Sequence, residues 1–196
     1  MAKDLAILQA PEKALSLPPP VTWLLGTLEQ TKWPGREMIW NFPTGITMKP
    51  EERSDAETAL AATQKALDAN NPDRQVCSKA RLSLLTRALM AFSAGLGPRE
   101  ETDAKIEVYL GALGDVPPWA IKGAISAWAK GDAGGLGMGG INYSFMPAPA
   151  ILHALCEREM RPYREQEAHL ERLLSAVSLD EAMSPKPQVV AFRRIP

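Results

Sequence analysis

Histidine and cysteine are nearly absent from this chain: 196 residues include two of each. Two cysteines, Cys77 and Cys156, both inside predicted helices, cannot build a disulfide framework, and the expectation is a reducing, cytoplasmic setting. His153 and Cys156 stand one helical turn apart, yet two ligands do not complete a tetrahedral zinc site, and no further Cys/His pair lies nearby. The other histidine, His169, sits in the charged run REQEAHLER, which reads as a solvated helix face with spaced ion pairs. Glu157, Glu159, Glu165 and Glu167 belong to that face, so they are not paired as acid and base. With no activated nucleophile and no convergent set of catalytic groups, the sequence points away from an enzyme.

An excess of either charge is also missing. Lysine and arginine number 22 against 23 acidic residues, so no overall positive field draws the chain to nucleic acid, and any such contact has to be local. No stretch approaches the roughly 18 apolar residues of a membrane span. The N-terminal apolar run is too short for a signal segment and is broken by Glu12 and Lys13. A glycine-rich loop, GDAGGLGMGGINYSF, lacks the Gly-Lys-Ser/Thr ending of a P-loop, follows a helix instead of a strand, and offers no dinucleotide fingerprint. It reads as a flexible crossover, and no cofactor is expected.

What the chain does have is a change of texture near residue 50. Seven of the 17 prolines fall in the first 50 residues, and Pro18, Pro19 and Pro20 favour an extended conformation. Residues 1–49 therefore read as an arm. Trp23, Trp33, Trp40 and Phe42 make it richer in aromatics than a disordered linker. These rings either pack on the helical body or a neighbouring chain, or they make WPGREMIWNFP a docking peptide whose anchors are Trp33, Trp40 and Phe42.

From Pro50 to about residue 178 the sequence is helical. The first helix has an alanine-rich face, Ser54 and Glu57 at capping-box spacing, and Asn70 and Asn71 at its exit. The second, about 74–94, carries Leu82, Leu85, Leu89 and Phe92 at helical spacing and is expected to be core, stopped at Gly95 and Gly97. A third helix opens at Pro98 and buries Ile106, Tyr109, Leu110 and Leu113. A fourth opens at Pro117 and Pro118 and buries Ile121, Ala124, Ile125 and Trp128. Helices three and four should form a hairpin. A last helix runs from Pro147 to about Ser178, with a kink or break expected at Pro162. No strand pattern is evident. The expected fold is all-α, a small bundle of about five helices at 50–178, with an extended N-terminal arm and a flexible tail at 179–196.

Local charge is densest on the second helix, where Arg74, Lys79, Arg81 and Arg87 occur with no acidic residue between them. Arg74 and Arg81 fall on one side, whereas Lys79 and Arg87 point elsewhere. This helix is the candidate for nucleic-acid contact.

The order Y-L-x-A-L-x-D-V-P-P-W-A, a helix ending in Trp128, a loop, then F-M-P-A-P-A-I-L resembles the helicase loader/inhibitor proteins of bacteriophages and prophages. The resemblance covers about Leu82 to Leu155, and it departs from the family at Ile151, where an acidic residue often stands. It implies a small all-α, non-catalytic adaptor that binds a DnaB-like replicative helicase, holds it inactive and delivers it to DNA marked by an initiator or a single-strand-binding protein. In such proteins the helical part is linked to the initiator and a flexible C-terminal region to the helicase. Here that region would offer Val189, Val190, Phe192 and Ile195 as anchors, with Arg193 and Arg194 to pair with carboxylates. Two other readings stay open: a DNA-binding module of the origin-binding or terminase-small-subunit kind using helix 74–94, and an inhibitor of a host protein.

Overall fold

A computed structural model describes residues 7–32, 38–92, 99–132 and 142–178. Among the described residues six α-helices dominate: α1 (Pro19–Thr27), α2 (Pro50–Leu67), α3 (Arg74–Phe92), α4 (Arg99–Ala112), α5 (Pro118–Ala129) and α6 (Pro149–Ser175). The molecule is mostly helical, but it is not purely all-α. Strands β1 (Glu29–Lys32), β2 (Met38–Phe42) and β3 (Val177–Ser178) form one sheet in that order. β1 and β2 are antiparallel, with Glu29 opposite Asn41 and Lys32 opposite Met38, and β3 runs parallel to β2. These strands escape the sequence pattern for a physical reason. Ile39 and Trp40 are half-buried while Asn41 and Phe42 are both buried, so the period-two alternation that marks a half-exposed strand is missing.

The prolines of the N-terminal stretch also behave differently from the expected extended arm. Pro18 is extended and caps α1, and Pro19 and Pro20 occupy its first turn. First-turn residues need no intrahelical N–H bond, and the fixed proline φ suits a helix. The Thr22 N–H donates to the Pro18 carbonyl at 3.0 Å and closes the turn.

Caps fix the other starts. Glu52 Oε2 accepts from the Lys49 N–H at 2.8 Å, so the reciprocal half of a capping box stands at Lys49 and Glu52, and Ser54 and Glu57 lie inside α2. Asp73 Oδ1 accepts from the N–H groups of Gln75 and Val76 at 2.8 and 3.0 Å, which starts α3. At the end of α5, Gly131 takes φ +77°. Its N–H bonds the Trp128 carbonyl, and the Asp132 N–H bonds the Ala127 carbonyl, the pairing of a Schellman motif. The expected break at Pro162 does not occur, because α6 runs on through it. Loss of one internal hydrogen bond is offset by burial of Met160 and Tyr163 on either side.

The chain divides into two compact units, Met1–Ser16 with Ala59–Ala168, and Leu17–Thr58 with His169–Pro196. In the first, α3 packs against both α4 and α5, so the helices joined by Pro117 and Pro118 share it as a neighbour. Leu85, Leu113, Val116, Ile121, Leu152 and Leu155 lie fully buried in a continuous apolar cluster. Gln166 Nε2 donates to the Ala14 carbonyl and to Thr63 Oγ1, pinning the short 3-10 turn Glu12–Leu15. In the second unit the buried apolar side chains are Val21, Leu24, Phe42, Ala56, Leu170, Leu173 and Ala176. Among the described residues no helix is long and apolar enough to cross a membrane.

Candidate functional site

Three buried aromatic residues of the 109–152 stretch use their polar atoms in the same way. The Tyr109 hydroxyl donates to the Pro147 carbonyl at 2.6 Å, Trp128 Nε1 to the Phe145 carbonyl at 2.8 Å, and Trp119 Nε1 to the Ala66 carbonyl at 2.9 Å. A buried tyrosine or tryptophan needs such a partner. Here each partner is a backbone carbonyl 17 to 53 residues away in sequence. Tyr143 stacks at an angle on Trp128, and Tyr163 on Trp119, both with centroids 4.8 Å apart. The segment 145–147 that leads into α6 is therefore locked to α4 by Tyr109 and to α5 by Trp128.

The lock leaves an apolar surface beside it. Phe145 is 52% and Val108 60% exposed, and with Leu89, Phe92, Tyr109 and Met146 they line a recess of about 470 Å³. Large apolar side chains displayed together around a concavity are the usual mark of a contact surface. Arg158 of α6 bonds Asp132 Oδ1 at 3.1 Å, which fixes the start of the glycine-rich crossover. The crossover's residues 133–141 lie outside the described residues.

The basic residues of α3 separate into two kinds. Arg74, Lys79 and Arg87 are exposed, whereas Arg81 is buried, which corrects the expectation that it contacts nucleic acid. Its Nη1 donates to the carbonyls of Ala69 and Val116 at 2.9 and 3.0 Å, and its Nη2 lies 3.5 Å from Asn70 Oδ1. The first two acceptors lie in the turns that follow α2 and α4, where helix dipoles leave carbonyl charge uncompensated. Arg81 thus braces two helix exits. Conversely Leu82, expected in the core, is 44% exposed. Cys77, Arg81, Leu85 and Leu89 recur at steps of four and are all buried. That phase is the sequence signal which places Arg81 inside.

The aromatic anchors of the N-terminal stretch divide similarly. Phe42 is 2% exposed, so it is unavailable as a docking anchor, a second correction. Trp40 is half-buried, with the Arg172 guanidinium 5.2 Å from its ring centroid. Trp33 lies outside the described residues, as do Val189, Val190, Phe192, Arg193, Arg194 and Ile195.

His153 Nε2 stands 3.9 Å from Asp115 Oδ1, and burial pushes the Cys156 thiol up to about 12. At neutral pH Cys156 is a packed thiol, not a thiolate. Among the described residues no group of three or more histidine, cysteine or acidic side chains is placed to hold a metal ion. No protein-family model matches the chain, and neither a curated protein nor a solved structure matches it.

Proposed function

We propose that this protein is a non-catalytic adaptor of DNA replication that binds a DnaB-like replicative helicase and loads or restrains it. The observation that carries the reading is a coincidence of residues. Tyr109, Phe145 and Met146 belong to the stretch resembling helicase loader/inhibitor proteins, and the same residues line the apolar recess. An adaptor needs a rigid body that displays apolar surface. Tyr109 and Trp128 supply the rigidity, through hydrogen bonds that hold 145–147 in place.

The division of labour follows the resemblance. The recess takes a partner of the initiator or single-strand-binding class, and residues 184–196 take the helicase through Val189, Val190, Phe192 and Ile195. A segment that orders on binding gives up conformational entropy, so its complex is reversible for its contact area. Reversibility is what a loader requires. Burial of Arg81 counts against a DNA-binding module built on α3, because one of its four cations already serves the fold.

The test is co-elution of the full chain with the hexameric helicase of the same replicon. A complex at micromolar concentration, lost when the chain is cut after Ser178, is the expected result. Absence of any complex at that concentration overturns the reading.

A further inference from the structure

Arg74, Lys79 and Arg81 line one recess of about 470 Å³ together with Ser78, Leu82 and Leu110. Arg74, Ser78, Arg81 and Leu82 follow one another on a single helix face, at steps of four, three and one. Lys79 springs from a neighbouring face, and Arg87 is not part of the lining. Among the described residues none of the three cations has a salt bridge. The carboxylates of the preceding turn are already engaged: Asp68 Oδ1 accepts from the Asn70 N–H, and Asp73 Oδ1 caps α3.

Arg74 and Lys79 expose their charges to one concavity, with the buried Arg81 behind them, and so concentrate positive potential locally in a protein whose net charge is −1. The guanidinium of Arg81 is held rigidly by two carbonyls on Nη1, whereas Nη2 has only the long contact to Asn70. Beside these charges stands apolar surface, with Leu82 44% exposed and Leu110 half-buried.

From this juxtaposition we infer that the recess is a binding site for an acidic–apolar peptide segment of a partner, whose carboxylate meets the exposed Arg74 and Lys79 and whose neighbouring apolar side chain covers Leu82 and Leu110, with the buried Arg81 behind them as a fixed positive charge. Charge complementarity selects the carboxylate, and the leucines select its neighbour. A nucleic-acid backbone fits less well. It needs cations continued along a line, and Arg87 stands outside the lining. This inference is independent of the helicase reading, since it concerns a different surface and needs no helicase to test.

The experiment uses the full-length protein and a fluorescein-labelled octapeptide of alternating aspartate and leucine, read by fluorescence anisotropy. Controls are the same peptide with glutamine for aspartate and a labelled single-stranded oligonucleotide. Saturable binding of the acidic peptide is expected. It should weaken about tenfold or more in the Arg74→Gln/Lys79→Gln variant, the scale of losing one charge-assisted hydrogen bond. Both substitutions fall on exposed side chains, and Arg81 is left in place, so an unchanged circular dichroism melt verifies the fold. Three results overturn the inference: no saturable binding by the wild type, equal binding of the glutamine peptide, or equal binding by the variant. Tighter binding of the oligonucleotide, lost in the variant, overturns it in favour of a nucleic-acid site.

Discussion

The two compact units satisfy their buried groups differently. In the first, Tyr109, Trp119 and Trp128 each spend their polar atom on a distant carbonyl, and Arg81 spends its guanidinium on two. In the second, Asn41 is 1% exposed and its Oδ1 has no hydrogen-bond partner among the described residues, and Trp23 is 57% exposed. An unsatisfied buried carbonyl oxygen costs about 1–3 kcal/mol. Cross-linking by buried polar atoms should make the first unit the stiffer of the two. Backbone amides of β1 and β2 should therefore exchange with solvent before those of α3 and α5.

The largest way to break this contrast is to remove a cross-link together with its ring. Trp119→Ala should destabilise the first unit by about 3–5 kcal/mol in denaturant unfolding, since it deletes a buried indole and strands the Ala66 carbonyl. Alkali attacks the same unit. Burial raises the Cys156 thiol from 9.0 to about 12, so the folded state holds that proton longer than the unfolded chain. The stability this represents is fully present below pH 9 and is lost as pH rises towards 12. Stability should fall by on the order of a few kcal/mol across that window, and the fall should be shallower in Cys156→Ala.

Smaller effects sharpen the comparison. Arg81→Met, which keeps much of the side-chain volume but abandons the Ala69 and Val116 carbonyls, should cost about 2 kcal/mol and show as faster amide exchange at the exits of α2 and α4. Tyr109→Phe removes only the bond to the Pro147 carbonyl and should cost about 1 kcal/mol, felt first at the start of α6. Arg172→Gln removes the cation above Trp40 in the second unit, and about 0.5–1 kcal/mol is expected from its thermal melt.

The residues that made the helices legible were local ones: Pro50, Pro117 and Pro118 at starts, Leu85 and Leu89 within α3, and Gly114 after α4. Periodicity and capping act within one or two turns, so sequence alone reaches them. The sheet was hidden because its pairing is non-local and Asn41 and Phe42 are buried together without alternation. The lock was hidden for a related reason. Tyr109 and Trp128 announced aromatic burial, but the acceptors at Pro147 and Phe145 are main-chain atoms, which no side-chain pattern encodes. Arg81 was misplaced because its charge outweighed its phase, although Cys77, Leu85 and Leu89 stand at steps of four around it. Of the candidate site, neither the residue set nor the concavity was read in the sequence, since Val108 and Phe145 meet only through packing of α4 beside the 145–147 segment.

The measurement that bears most directly on the adaptor reading is the ATPase rate of the DnaB-like helicase titrated with the full chain, without and then with single-stranded DNA. The account predicts a rate that falls to a plateau as the chain is added and recovers when single-stranded DNA is supplied. A rate unchanged at saturating chain, or a suppression that DNA does not relieve, would contradict it.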